Sequence, residues 1–413
     1  MITVFGLGFV GLTTALGFAH YGYKVYGIDT NQERKELLKN NKLPFFEPDM
    51  DQILIEENNK NFFITEDVGK AIKESQYIFY CVGTPYGENG EADLTYLFQA
   101  IETTLDCLKE EQKKILIVKS TIPPSTTQER IIPFIEIKGY RVNEDIYVAN
   151  NPEFLREGYC WEDFINADRI VIGCENEFAT NKIKEIYKPF NIPIFELSYN
   201  SGEFIKYLSN TMLATMISFA NEMANVADQI GGIDISKAFR VIHMDKRWGN
   251  GTMSSYFYPG CGYGGYCLPK DTNALYALAK QKGYEAEILS NVIKLNNNMV
   301  NIITDKIKKQ VDKNTKIGVL GLSFKADSND VRESVSAKVI EKLISEAFDN
   351  ISAYDPKAIT EFKEHYNFPI TYYSTLEEIC NETEVLIILT GWEEFINIKK
   401  ITNKRILDYR YIT

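Results

Sequence analysis

Histidine is nearly missing from this chain: three occur in 413 residues. Only His243 lies near the cysteine pair Cys261 and Cys267. A zinc site there would need more ligands than the neighbourhood offers, so no metal is expected. Cysteine is sparse too. The seven, at 81, 107, 160, 174, 261, 267 and 380, are odd in number and scattered. That excludes a disulfide framework and points to free thiols in a reducing cytoplasm. No apolar run reaches the length of a membrane span. Met1 leads into an apolar strand without the basic segment and cleavage site of a secretory signal, so a cytoplasmic protein without membrane contact is expected. Positive charge is in deficit. A formal net charge of −12 argues against nucleic acid as a partner, leaving room for a local basic pocket that takes a phosphorylated ligand.

What is present is ordinary in bulk and unusual in two places. The chain is 45% hydrophobic and 25% charged, as globular proteins are, and its length predicts two or three domains. The first unusual place is Tyr258-Pro-Gly-Cys-Gly-Tyr-Gly-Gly-Tyr-Cys-Leu-Pro-Lys-Asp271. Gly260, Gly262, Gly264 and Gly265 forbid regular structure and allow close approach of backbone to a ligand. The pattern then turns helical, with Pro269 near the first turn. Cys267 thus sits just ahead of a helix start and beside Lys270, two features that favour the thiolate. A covalent catalyst is one reading; a small thiol packed in a tight turn is the other.

The second is the N-terminus. Ile2-Thr-Val-Phe5 reads as a buried strand, followed by Gly6-x-Gly8-x-x-Gly11, a helix, and a second strand ending at Asp29. Strand, glycines, helix, strand and terminal acid form a dinucleotide fingerprint. Gly8 would let the backbone reach the pyrophosphate at the helix start. Asp29 would accept from a ribose 2′-hydroxyl and repel a 2′-phosphate, which selects NAD over NADP. Three later strands end in Gly83-Thr84-Pro85, in Ser120-Thr121-Ile122-Pro123-Pro124, and in Asn151-Pro152-Glu153-Phe154-Leu155-Arg156-Glu157-Gly158. Ligands of open α/β sheets lie at such strand ends. A long helical run from Glu203 to about Ile230 follows, with Lys206 and Asn210 on one face. A second α/β region begins near residue 300, where Lys316–Lys325 repeats the strand-to-glycine theme without the glycine triplet. The fold class expected is α/β: two Rossmann-like, doubly wound lobes joined by a long central helix and a helical middle domain.

Together these motifs resemble the UDP-glucose/GDP-mannose dehydrogenase family over essentially the whole chain. The resemblance rests on Gly6-x-Gly8-x-x-Gly11, Pro44-Phe-Phe-Glu47, Ser120-Thr121, Asn151-Pro-Glu-Phe-Leu-Arg-Glu157-Gly, Lys206-x-x-x-Asn210 and Gly262-Tyr-Gly-Gly-Tyr-Cys-Leu-Pro-Lys-Asp271. The second lobe adds Gly321-Leu-Ser-Phe-Lys325, Arg332-Glu-Ser, Thr390-Gly-Trp392 and Asp408-Tyr-Arg410. It implies an NAD-binding domain at 1–198, a central helical dimerisation domain with the cysteine turn at 199–298, and a sugar-nucleotide-binding domain at 299–413. It also implies a four-electron, NAD-dependent oxidation of a nucleotide sugar at C6. UDP-glucose stands foremost as substrate, with GDP-mannose or a UDP-N-acetylhexosamine as the alternative.

Carried onto this sequence, the resemblance makes Cys267 the nucleophile and Lys206 and Asn210 the oxyanion donors. Asp271 and Thr121 would hold the water, with Glu157 and Glu153 as acid/base candidates. Gly6, Gly8, Phe9, Val10, Gly11, Asp29, Arg34, Thr84, Thr121 and Arg332 would hold the cofactor. Glu153, Phe154, Leu155, Arg156, Glu157, Lys206, Asn210, Tyr258, Gly264 and Lys325 would meet the substrate, joined by Arg247 from the neighbouring subunit of a homodimer or higher oligomer. Three features depart from the family pattern. Tyr266 stands where many members carry serine, Tyr409 where glycine is common, and the segment 248–261 is longer than usual. A two-electron hydroxyacid dehydrogenase would need neither Cys267 nor a second lobe, and a thiol-based redox sensor would turn over no sugar nucleotide.

Overall fold

The strands of this chain are short runs of Ile, Val, Leu, Phe and Tyr that are apolar at successive positions. Such runs suit a parallel sheet covered on both faces. The computed structural model describes residues 1–108, 113–247 and 256–413, in two compact units, Met1–Leu208 and Ser209–Thr413. Most of the long segment 248–261 therefore lies outside the described residues. No helix among those described is long and apolar enough to cross a membrane.

The first unit is built on strands β1 (Ile2–Phe5), β2 (Val25–Ile28), β3 (Phe62–Ile64), β4 (Tyr77–Tyr80), β5 (Lys114–Val118), β6 (Ile146–Asn150), β7 (Ile170–Gly173) and β8 (Ile194–Leu197). They lie in the order β3-β2-β1-β4-β5-β6-β7-β8. All neighbours are parallel except β6 and β7, which meet antiparallel at Asn150 and Gly173. The first helix, Phe9–His20, is buried from Gly11 through Ala19, as a helix apolar on all sides must be. It packs through Phe18 against Phe79 at 5.3 Å, Tyr187 at 5.2 Å and Phe190 at 5.6 Å between ring centroids.

The connector helix, Tyr199–Ile230, starts in the first unit and ends in the second. Its entry is fixed by Asn150, whose Nδ2 donates to the Tyr199 carbonyl at 3.0 Å. A Cβ on Gly202 or Gly173 would lie 2.2 or 2.1 Å from Asn150 Oδ1, so both positions exclude any side chain.

The second unit carries β9 (Ile317–Leu320), β10 (Ile351–Tyr354), β11 (Thr371–Tyr372), β12 (Val385–Ile388) and β13 (Arg405–Asp408), in the order β11-β10-β9-β12-β13. All pairs are parallel. The strand expected to begin at Lys316 stops at Leu320 because Gly321 turns to φ +92°. Asp355, just beyond β10, explains why two distant motifs coexist here. Its Oδ2 accepts from the Leu322 amide at 2.7 Å, the Ser323 amide at 3.1 Å and the Trp392 indole at 3.0 Å. Its Oδ1 accepts from the amides of Lys357 and Ala358. Gly321-Leu-Ser323 and Thr390-Gly-Trp392 are thus two sides of one buried carboxylate.

Replacing Asp355 with Asn would set an NH₂ against amide donors in a site only 2% exposed. The expected loss is about 3 kcal/mol of stability in denaturant unfolding. A loss below about 1 kcal/mol would contradict this account of the second sheet.

Candidate active site

The three glycines of the fingerprint have three different reasons. Gly6 sits at φ +84°, and a Cβ there would lie 2.7 Å from the Cys81 carbonyl oxygen. A Cβ on Gly11 would collide with the Gly6 carbonyl at 1.7 Å. A Cβ on Gly8 would meet no atom of the chain within 4 Å. Nothing in the chain therefore requires a glycine there, and its place at the start of the Phe9–His20 helix is compatible with a pyrophosphate. Phe9 stacks on Phe45 with centroids 4.0 Å apart, and the Val10 carbonyl accepts from the Thr14 hydroxyl. Asp29 closes the same corner. Its Oδ2 accepts from the Leu7 amide at 2.6 Å and from Arg34 Nη1 at 2.9 Å. On the next strands, the Thr84 hydroxyl donates to the Thr121 carbonyl at 2.9 Å, and Ser120 Oγ donates to the Val82 carbonyl. The loops after β4 and β5 are thereby joined.

The loop after β6 brings its acids to the connector helix. Glu153 is buried, and its Oε1 pairs with Lys206 Nζ at 2.9 Å. Its Oε2 accepts from the Leu155 amide. The Lys206 ammonium also faces the Phe154 ring. Arg156 is turned onto Asp163 through a fork of short hydrogen bonds, and Glu157 is half-buried beside it. Glu47, from the Pro44-Phe-Phe-Glu47 motif, shapes this loop from below by accepting from the amides of Gly158 and Trp161. Burial raises its carboxyl above the ordinary value against those donors.

In the second unit the glycine turn is compressed by its surroundings. A Cβ on Gly264 would lie 2.4 Å from the Glu333 carbonyl oxygen, and one on Gly265 2.8 Å from the Phe324 ring. The helix after the turn runs Cys267–Gln281. Cys267 is thus its first residue, two positions earlier than Pro269 suggests. Cys267 is exposed, whereas Lys270 and Asp271, one turn on, are buried. Asp271 accepts from Asn210 Nδ2 at 2.6 Å and from Lys270 Nζ at 2.5 Å. Tyr266 lies under two cations, with the Arg332 guanidinium 4.7 Å and Lys270 Nζ 5.6 Å from its ring centroid. Arg332 itself is forked on Asp330. Lys325 stands over Phe324. The Tyr258 hydroxyl donates to the Tyr411 carbonyl at 3.0 Å, which leaves Ser236 to donate to it. Arg247 is 87% exposed and pairs with Asp245. No group of three or more His, Cys, Asp or Glu side chains among the described residues could hold a metal.

Family models match most of the chain. The NAD-binding domain of the UDP-glucose/GDP-mannose dehydrogenase family covers residues 1–191, its central domain 200–298 and its UDP-binding domain 318–413. The chain belongs to the UDP-glucose/GDP-mannose dehydrogenase family. It is similar to the UDP-glucose 6-dehydrogenase TuaD of Bacillus subtilis, 35% identical over 98% of this chain and 87% of the relative. Among solved structures it resembles a UDP-glucose dehydrogenase from Pyrobaculum islandicum, with TM-score 0.92, 32% identity and coverage of 100% of this chain and 94% of that one. A UDP-D-ManNAc dehydrogenase from Pyrococcus horikoshii is similar at TM-score 0.86 and 27% identity, covering 100% and 96%. The chain is an NAD-dependent oxidoreductase of nucleotide sugars, and Gly8 and Asp29 fit that cofactor.

Several residues that shape this dehydrogenase site carry no motif. Lys119 is buried below Glu153, and its Nζ donates to Asn151 Oδ1 at 2.9 Å, an oxygen that also accepts from Tyr187. Burial pulls the Lys119 ammonium down to about 8. Asn296 brackets the glycine turn by binding both the amide and the carbonyl of Tyr263, and Asn221 Oδ1 accepts from the Gly260 amide at 2.6 Å.

The cofactor corner makes one prediction. If Asp29 meets the cofactor ribose as expected from the sequence, its carboxylate, which accepts from Leu7 and Arg34, would repel a 2′-phosphate. We expect kcat/KM for NAD to exceed that for NADP by about 100-fold or more, and Asp29→Ala to narrow the gap. Steady-state kinetics with both cofactors decide it; a native preference for NADP contradicts the reading of Asp29.

Proposed function

We propose that this chain oxidises UDP-glucose at C6 to UDP-glucuronate, in two steps, through a covalent adduct on Cys267. The observation that carries the reading is the setting of that thiol. It is exposed at the first position of a helix, and the carboxylate one turn on is buried and held by Asn210 and Lys270. A helix start favours a thiolate. Bound NAD supplies the hydride acceptor, one equivalent for each two-electron step. Glu157 takes the proton of the C6 hydroxyl as the aldehyde level is reached. The Cys267 thiolate adds to the aldehyde carbon, and the oxygen becomes an alkoxide. Lys206 donates to that oxygen, joined by Asn210, which has a second Nδ2 hydrogen beyond the one given to Asp271. Loss of the second hydride leaves a thioester. Asp271 and Thr121 hold the water that displaces Cys267 and releases the carboxylate, with Glu153, ion-paired to Lys206, as a further acid/base group. Arg332 serves the cofactor. Phe154, Leu155, Arg156, Tyr258, Gly264 and Lys325 form the sugar-nucleotide side. The three-part division at 198 and 298 fits this allocation, and the free thiols suit a reducing cytoplasm.

Two NADH should form for each sugar consumed, with little free aldehyde. Cys267→Ala should abolish carboxylate formation, whereas Cys107→Ala should not. The assay compares UDP-glucose with GDP-mannose and UDP-N-acetylhexosamines. A ratio of one NADH, or an active Cys267→Ala, defeats the covalent route; faster turnover of another nucleotide sugar replaces the substrate.

We further propose a homodimer formed on the connector helix. Leu208, Met212, Phe219, Val226 and Ile230 are all exposed, and their spacing places them on one side of that helix. A second copy would cover the stripe, since a symmetric contact needs one self-complementary surface. Arg247 would reach the neighbour's sugar nucleotide, where its fork suits a phosphate. Mixing inactive Arg247→Ala with inactive Cys267→Ala, after subunit exchange, should restore part of the activity. If Arg247 acts in its own subunit, none returns.

A further inference from the structure

Glu203 lies on the connector helix one turn before Lys206, and it is 3% exposed. Its Oε1 accepts two hydrogen bonds from one residue: the Thr127 amide at 2.7 Å and the Thr127 hydroxyl at 2.6 Å. Thr127 is fully buried and opens a π-helical turn, Thr127–Ile131. That turn ends the loop carrying Ser120 and Thr121. Single π turns are rare and often lie at functional sites. The second oxygen, Oε2, is buried and has no hydrogen-bond partner. A buried carboxylate oxygen left without a hydrogen bond calls for a reason beyond packing.

We propose that Glu203 is a positioning residue: as a carboxylate it clamps the Thr121 loop to the helix that bears Lys206, and on protonation the clamp loosens. The proposal rests on the roles given to Thr121 and Lys206 above. Hydrogen bonds to an ionised acceptor are roughly twice as strong as those to a neutral one. The groups facing the carboxyl are the Thr127 amide and hydroxyl and the amides of Ser125 and Thr126, which all favour the charge. The charged residues on the elements it joins are engaged elsewhere. Lys206 pairs with Glu153, Arg130 stacks on Phe98, and Glu129 is on the exposed side of the π turn. Burial nevertheless pushes the Glu203 carboxyl up to about 7. Since ionisation is harder in the folded chain than in the unfolded one, stability falls as pH rises from the ordinary glutamate value through about 7. The clamp is therefore tightest where it costs stability, as functional groups often do.

The test compares wild type, Glu203→Gln and Thr127→Val. The Gln variant cannot ionise, so its kcat should match wild type near pH 6 and fall about tenfold below it near pH 8. A purely structural lesion would lower both values by the same factor. Thr127→Val removes one donor to the carboxylate and should move the acid limb of the wild-type profile up by about one unit. Hydrogen exchange of residues 120–131, corrected for intrinsic rates and measured without substrate, should show protection rising through pH 7 in wild type and not in Glu203→Gln. A pH-independent ratio of the two kcat values, or protection that does not change through pH 7 in wild type, overturns the clamp. Should Glu203→Gln not fold, the Thr127→Val profile decides, and an unmoved acid limb overturns it. If wild type oxidises no nucleotide sugar, the reading of the reaction fails, and the exchange measurement still decides the clamp.

Discussion

The hydrogen bond from Asn210 to Asp271 holds the connector helix against the helix that begins with Cys267, and it is one of a series. Glu203, Lys206, Asn210, Asn221 and Asn225 fall within about 100° of the connector's circumference. Each takes a partner from a different segment: Thr127, Glu153, Asp271, Gly260 and Lys306. A helix normally turns its apolar side to the protein and its polar side to water. Here the inward arc carries these polar residues among buried Tyr199, Tyr207, Ala214 and Ala224, and the exposed large side chains on the opposite arc are apolar. Each of these five segments is registered against that arc of the connector. A one-residue slip of the helix would break all five contacts together, since neighbouring positions point about 100° apart.

The polar face also explains why the site can be assembled from loops. Loops on a rigid scaffold carry function because they can vary without disturbing the core, but they must then be held. The chain holds them with side chains that satisfy backbone groups. Glu47 does so for Gly158 and Trp161, Asn296 for Tyr263, and Asp408 for Arg410, Ile412 and Thr413. The last of these accounts for the terminal Asp-Tyr-Arg motif. Asp408 folds the C-terminus back, and the Arg410 guanidinium then lies where a side chain on Gly260 would sit. Tyr409 takes the position where a glycine is common by burying its ring in the core of the second sheet.

Much of this is legible in the sequence alone. The glycine fingerprint, the strand-end acid and the cysteine turn are local patterns, so their spacing alone carries their meaning. Both lobes and the connector followed from alternating apolar runs and helical stretches. The anchors were not legible. Glu203 and Thr127 are 76 positions apart, and Lys119 and Asn151 are 32 apart. Nothing in the residues around them marks a buried partner. The start of the helix after the glycine turn is less legible for a local reason: Pro269 is tolerated within the first turn, where its missing N–H is not needed, so it does not mark the first helical residue.

Asp355 carries a consequence for the number of cofactor sites. It occupies in the second sheet the place that Asp29 holds in the first, at the end of the strand beside the one leading to the glycine turn. Asp29 answers one amide of that turn. Asp355 is surrounded by amides, a hydroxyl and an indole of its own lobe, and it has no lone pair left for a ribose. The second lobe has kept the architecture of a dinucleotide fold and closed its reading head. If two cofactor equivalents are used, as proposed above, the Asp29 corner would take them in turn, and the half-oxidised sugar would have to wait. On the proposed route, the bond to Cys267 is what keeps it from leaving.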